Sequence, residues 1–320
     1  MNRPRFCRPI VVRGLTALLF GLSAAVASGP GAVAAGGPPP GRAAAAKAAA
    51  EAGAYWTAER MAAAVPSTTA VRKGTRAHAG PVPPSHPFDG LPQVGTFFWT
   101  DGNDTGRFCG GTVVRSPHRD LAVSAAHCLR SPDPKKRLTF VPQYHDGQKP
   151  HGVFPVEDIY IDQRYYDLGT DGGARWDYTV LRLGEREDGE NVQSVVGGFD
   201  LAIRPGYAHR DVRLIGYPGS SDAKYPKPLD CSSSTHRYTS TDPGAPGDFL
   251  EIACAGYVGG TSGGPFLVRG GVSGGYALIG VIGGYHTGGD TPDISYSSYF
   301  TEDLLDLYLA AVEGDPPASR

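Results

Sequence analysis

An all-β fold that closes on one C-terminal α-helix is the class this 320-residue sequence predicts. Two observations carry it. With 45 glycines and 28 prolines the chain is rich in turns, and from residue 88 onward short apolar runs lie between them. Helical periodicity is scarce until the C-terminal end. The composition, 40% hydrophobic and 19% charged, supplies enough apolar material for a core and excludes a globally disordered chain.

The N-terminal stretch is read first as an address. Arg3, Arg5, Arg8 and Arg13 precede an apolar run over 15–26, and small residues follow. That is the order of a secretory signal peptide, with Ala25-Val26-Ala27 and Ala32-Val33-Ala34 as competing cleavage sites. The run is shorter than the roughly 20 residues a membrane-spanning helix needs. Residues 1–34 are assigned to the signal, and the mature protein is expected to be secreted and free of membrane. Residues 35–87 read as a pro-segment or linker. Thirteen alanines in 43–64 favour a helix, but Tyr55, Trp56 and Met61 are its large apolar side chains, so it has little to bury. A Pro-rich stretch then runs to Pro87.

The remainder, 88–314, holds the folded domain, and 315–320 is a tail. Strands are expected over 94–100, 110–114, 121–124, 138–141, 179–183, 212–217, 249–254, 266–268 and 276–282. In the final helix Leu304, Leu305, Tyr308, Leu309 and Val312 share one face. Glu302 and Asp303 occupy its first turn, and Gly314 stops it. Residues 1–87 carry 10 Lys/Arg and 2 Asp/Glu, which leaves 20 and 30 for the rest, a net charge of −10. A domain that acidic offers no electrostatic footprint for nucleic acid.

Cys7 leaves with the signal. Cys109, Cys128, Cys231 and Cys254 remain, an even number in an oxidising compartment, which points to two disulfides. Three pairings are open, and proximity favours Cys109–Cys128 with Cys231–Cys254. Neither C-x-x-C nor H-E-x-x-H occurs, so no metal site and no cofactor is expected.

Three segments carry chemistry. The first is Cys109-Gly110-Gly111-Thr112-Val113-Val114 followed by Leu121-Ala122-Val123-Ser124-Ala125-Ala126-His127-Cys128. The second, Trp176-Asp177-Tyr178-Thr179-Val180-Leu181-Arg182-Leu183, sets an acid at the head of an alternating apolar strand. Asp167 and Asp171 are its nearby rivals, in a Gly-rich stretch read as a loop. The third is Gly260-Thr261-Ser262-Gly263-Gly264-Pro265, in which the glycines let the backbone turn tightly enough to aim N–H groups at one point. Ser273, in Gly271-Val272-Ser273-Gly274-Gly275, lacks the proline and reads as a hairpin turn.

Together these segments resemble the chymotrypsin-like serine proteases over about residues 88–313. The resemblance implies two six-stranded antiparallel β-barrels with the C-terminal helix, and a Cys109–Cys128 bridge beside a catalytic His127. It implies Asp177 as the orienting acid, Ser262 as nucleophile, and the Gly260 and Ser262 backbone N–H groups as an oxyanion hole. The function it implies is a secreted serine endopeptidase working through an acyl-enzyme on polypeptide substrates, as a monomer. A non-catalytic binding protein of the same fold is the alternative. Gly260-x-Ser262-x-Gly264 also satisfies the α/β-hydrolase elbow, but that enzyme needs a histidine after its serine, for which His286 alone qualifies, and alternating strands and helices. The element Leu214-Ile215-Gly216-Tyr217-Pro218-Gly219 is similar to one in bacterial secreted members of the glutamyl-endopeptidase-like branch.

The sequence departs from that pattern at three places. Thr261 stands where trypsin-like members have the aspartate that receives a freed N-terminus, so the loop is expected to be ordered by local hydrogen bonds instead. Gly256, six residues before Ser262, falls at the pocket-floor position and carries no acid. Ile282 falls where glutamate-specific members have a histidine, with His286 four residues later in a loop. Substrate preference is therefore not legible from these residues.

Overall fold

The computed structural model describes residues 40–67, 80–131, 135–219 and 226–318. The chain divides into two units, Met1–Pro38 and Pro39–Arg320. The first, with the signal-peptide assignment, lies outside the described residues. In the second, helices α1 (Pro40–Tyr55) and α2 (Ala58–Ala63) are followed by two-residue strands β1 (Val65–Pro66) and β2 (His86–Pro87).

The first sheet is built from β3 (Val94–Thr100), β4 (Gly106–Val113), β5 (Leu121–Ser124), β6 (Lys136–Pro142), β7 (Phe154–Ile161) and β8 (Thr179–Leu183). Their order β4-β3-β6-β7-β8-β5 returns to β4 through Thr112 opposite Val123, closing a six-stranded antiparallel barrel. β1 adds to it in parallel, alongside β4. Closure joins β4 to β5 at Thr112 and Val113, and β3 is buried on both faces. Phe97 and Trp99 point into one cluster with Phe140, Phe154 and Leu181. Phe98, one residue out of phase, joins Trp56, Met61, Phe108 and Tyr144 in another.

Trp56 and Met61 therefore have something to bury. The alanine run forms the helix its propensity predicts, and the segment behind it covers the outer face of the barrel. Trp56 is 1% exposed, lies 5.5 Å from the Phe98 ring and donates its Nε1–H to Arg137 O at 2.9 Å. Lys149 Nζ donates to Gly53 O at 2.6 Å and to Trp56 O at 2.9 Å. Burying an apolar side chain of this size stabilises the docked state by about 2–3 kcal/mol.

The second sheet comprises β9 (Asp200–Leu201), β10 (His209–Gly216), β11 (Leu229–Thr239), β12 (Asp248–Ala253), β13 (Pro265–Arg269), β14 (Tyr276–Val281) and β15 (Ile294–Ser298). Six antiparallel strands run in the order β15-β12-β11-β10-β13-β14; β9 lies parallel on β14, and β2 pairs with β11. The two ends come together where Val281 N–H donates to Ser297 Oγ at 3.0 Å. This is the mostly β, chymotrypsin-like architecture the motifs imply.

Four further helices punctuate the strands: α3 (Ala126–Leu129), α4 (Gln163–Gly172), α5 (Val192–Val196) and the terminal α6 (Glu302–Glu313). Thr301 caps α6 by accepting from Asp303 N–H, and Gly314 ends it in the left-handed conformation, φ 73°. Its buried stripe is rotated from the expected one. Leu304 and Ala311 are buried and Tyr308 packs beside them, whereas Leu309 is exposed.

Candidate active site

Two hydrogen bonds join the first barrel to the second sheet at one place. Gly110 N–H donates to Ser262 O at 2.8 Å, and Gly284 N–H donates to an Asp177 carboxylate oxygen at 2.7 Å. Around them the three motif segments converge. β5 ends at Ser124, and extended Ala125 starts the one-turn helix α3, which carries His127 and Cys128. Cys128 is bridged to Cys109 on β4, so α3 is tied to the strand that also holds Ser262 O. The second bridge joins Cys231 to Cys254.

Asp177 follows a 3-10 turn over Ala174–Trp176 and is fully buried. A buried carboxylate without partners is costly, and this one has three N–H groups. Oδ1 accepts from the His127 backbone N–H at 2.7 Å. Oδ2 accepts from Gly284 and lies 2.7 Å from His127 Nδ1. An ionised carboxylate only accepts, so it holds the imidazole in the Nδ1–H form and leaves the Nε2 lone pair as the basic position. Nε2 is buried with no protein hydrogen-bond partner among the described residues. Asp167 and Asp171 lie on α4 rather than in a loop, because Asp162 caps a helix there, and Asp167 bonds to Gln163 at 2.9 Å. Tyr165, also on α4, was not singled out by the sequence; burial, and secondarily the charge of Asp177, push its phenol well above the ordinary range.

The Ser262 loop is shaped by its glycines. Gly263 has φ 77°, and a Cβ there would lie 2.2 Å from Gly110 O. Gly260 has φ 100°, and its Cβ would lie 2.8 Å from Gly219 N. Local bonds order the rest: Thr261 Oγ1–H donates to Val258 O at 2.8 Å, and Gly219 N–H donates to Gly259 O at 2.7 Å. The Thr261 hydroxyl thus fastens the loop without an ion pair. Among the described residues no protein acceptor takes the Gly260 or Ser262 backbone N–H. Ser273 lies on the β13–β14 turn, where its N–H and hydroxyl both bond to Asp200 Oδ2, at 2.8 and 2.9 Å.

A pocket opens beside Ser262, lined among others by Tyr257, Thr261, Ile282, His286 and Thr291. Gly256 does not line it; with φ 91° its Cβ position faces Ser85 Oγ instead. The floor position inferred from sequence is therefore displaced by one residue. Tyr257 takes the wall, its hydroxyl donating to Leu214 O at 2.7 Å. Burial pushes that phenol well above its ordinary range. His286 sits between pocket and carboxylate, its Nδ1 paired with Asp290 Oδ1, and Asp290 also accepts from the Tyr296 hydroxyl at 3.0 Å.

Comparison with known proteins bears on the family and the fold. The family model described as trypsin matches residues 89–301. Among solved structures, the protease Anisep from Arthrobacter nicotinovorans superposes with TM-score 0.59 at 22% identity, covering 72% of this chain and 99% of its own. The thermostable serine protease AL20 from an extremophilic microorganism gives TM-score 0.57 at 23% identity, covering 70% and 98%. A Glu endopeptidase in complex with MPD gives 0.53 at 17%, covering 73% and 98%. No curated protein matches the sequence. At these identities the neighbours speak for the fold, and the family match spans most of the chain. The chain belongs to the trypsin family and is a serine endopeptidase.

Proposed function

We propose that the protein is a secreted endopeptidase that hydrolyses peptide bonds through an acyl-enzyme on Ser262. A serine hydroxyl is a weak nucleophile until a base takes its proton, and His127 Nε2 is the base. As Ser262 Oγ bonds to the scissile carbonyl carbon, its proton passes to Nε2 and the carbonyl oxygen becomes an oxyanion. The Gly260 and Ser262 N–H groups bind that oxyanion, each donor contributing about 3–4 kcal/mol to the barrier reduction. The C–N bond then breaks, and His127 gives its proton to the leaving amine. Water repeats the sequence to release the acid. Asp177 holds the ring and stabilises the imidazolium formed at each step.

The observation that carries this reading is the buried Asp177–His127 pair, whose Nε2 has no protein hydrogen-bond partner among the described residues. A fluorophosphonate probe tests it. Labelling of the folded protein at Ser262 is the expected result; a folded protein that resists the probe would be the non-catalytic binding form of this fold. Export rests on the signal-like N-terminus and the two bridges, whose formation needs an oxidising compartment. No helix of the described residues is long and apolar enough to cross a membrane. The enzyme acts as a monomer and without a cofactor.

One expectation about substrate choice follows from the pocket. Its lining holds no Asp or Glu side chain among the described residues, and Asp290 is already paired with His286. A guanidinium or ammonium buried there without a counter-charge is costly. Cleavage after Arg or Lys should not dominate a peptide-library profile; a profile led by those residues would mean that Asp290 leaves His286 to meet them.

A further inference from the structure

We infer that the segment Val65–Ser67 is an intramolecular inhibitor that fills the leaving-group side of the cleft in reversed polarity, an inference that rests on the function proposed above. β4 pairs with β5 only at its far end, Thr112 and Val113, so the stretch 106–108 has an edge that β5 does not cover. β1 takes that edge. Val65 lies opposite Arg107 and Pro66 opposite Phe108, and Ser67 N–H donates to Phe108 O at 3.0 Å. Ser67 Oγ–H points at Cys109 Sγ, 3.6 Å away, beside the bridge to Cys128. A Cβ on Gly219 would meet the Pro66 ring at 2.2 Å, and Gly219 is the residue that fastens Gly259 next to the oxyanion position.

The side of the cleft follows from the chemistry. His127 must hand a proton to the departing amine, so residues beyond the scissile bond lie on the His127 side, away from the pocket lined by Tyr257 and Ile282. Ser67 lines one cavity together with His127 and Cys128. An extended guest on this side would use the same strand edge, since main-chain pairing to an open edge is how a sheet binds a peptide.

Polarity separates inhibitor from substrate. β1 is parallel to β4, so it runs toward Cys109 and brings its C-terminal end to the reacting groups. A leaving group has the opposite sense: its new amine is nearest the serine and its chain runs away. The strap therefore occupies the subsite without presenting a bond in the cleavable direction. Its anchors are Trp56 and Met61, both buried in the barrel-covering cluster. Being tethered, the strap competes at the millimolar effective concentration of a short linker.

The experiment uses the full chain, an internally quenched peptide with residues on both sides of its cleavage site, and a fluorophosphonate, which needs no leaving-group subsite. Ser67→Pro removes the N–H that bonds to Phe108. It should lower the peptide KM at least tenfold with kcat little changed, while the rate of probe labelling stays at the parent value. Ser67→Ala keeps the N–H and should behave as the parent. The double variant Trp56→Ala, Met61→Ala, which loosens the anchors and leaves the Ser67 N–H in place, should lower KM in the same direction and guards against a folding defect in Ser67→Pro. Unchanged KM in Ser67→Pro and in the double variant, with all forms labelled, overturns the inhibitory role and leaves the proposed activity standing. Failure of the parent and every variant to label overturns the activity itself.

Discussion

Ser262→Ala is expected to lower turnover of a peptide substrate about a millionfold, the scale on which removal of a triad nucleophile acts. The size of the effect follows from what remains. The oxyanion donors are backbone groups of Gly260 and residue 262, so they survive the substitution and retain part of the rate enhancement. The acyl bond, however, has no oxygen left to form on. The fold should be unaffected, because the contacts that hold residue 262 use its carbonyl: Gly110 N–H at 2.8 Å and the Cys109 sulfur at 3.2 Å. Equal thermal midpoints for parent and variant, beside the lost turnover, separate chemistry from unfolding. Ser273→Ala is the control. That hydroxyl bonds to Asp200 on an exposed turn, and its loss should leave turnover near the parent value. A Ser262→Ala protein that still turns over, or a probe that labels Ser273, would remove Ser262 from its role.

The groups proposed for catalysis were legible because each sits at a place where local sequence constrains the backbone. Ser262 lies among glycines whose positive φ angles leave no room for a Cβ. His127 sits in a one-turn helix that the neighbouring Cys128 bridges to β4, and Asp177 precedes an alternating strand. What escaped notice depends on distant partners or on mixed signals. The sequence pattern does not reveal β7, because Pro155, Glu157 and Asp158 interrupt its apolar run, although Phe154, Tyr160 and Ile161 are buried. Nor does it reveal β11, because serines fill its centre, with Cys231 and Thr235 as its buried positions. α4 contains Gly169 at φ 74°, which breaks the periodicity that would reveal a helix. The docking of Trp56 is a different case. Its side chain stands out in an alanine-rich run, but the groups that receive it, Phe98 and Arg137, are more than forty residues away in sequence. Local reasoning can say that such a side chain needs a partner and cannot say which. The pocket floor failed for a similar reason, since counting back from Ser262 lands on Gly256 while the fold presents Tyr257.

Asp177→Asn is expected to reduce turnover about ten-thousandfold, the effect that loss of this charge has in a Ser-His-Asp triad. The hydrogen-bond inventory explains why an isosteric change costs so much. In the parent, Oδ1 accepts one N–H and Oδ2 accepts two, and every donor is a group that cannot turn away: the His127 and Gly284 main-chain N–H groups and the ring Nδ1–H. An amide has one accepting oxygen and one NH₂. With NH₂ at the Oδ2 site, it opposes the Gly284 N–H and donates to Nδ1. The proton then moves to Nε2, which can no longer act as the base. With NH₂ at the Oδ1 site, the ring keeps its tautomer, but the amide opposes the His127 N–H and pushes on the turn that carries the ring. Both orientations also lose the negative charge that stabilises the imidazolium in the transition state. Imidazole nitrogen NMR of the variant would distinguish the two, since the first predicts a protonated Nε2 and the second a protonated Nδ1. Asp167→Asn, on α4 where the parent carboxylate accepts from Gln163, should turn over at the parent rate. If Asp177→Asn retained activity within tenfold while Asp167→Asn lost it, the orienting acid would be on α4 and the assignment of Asp177 would be wrong.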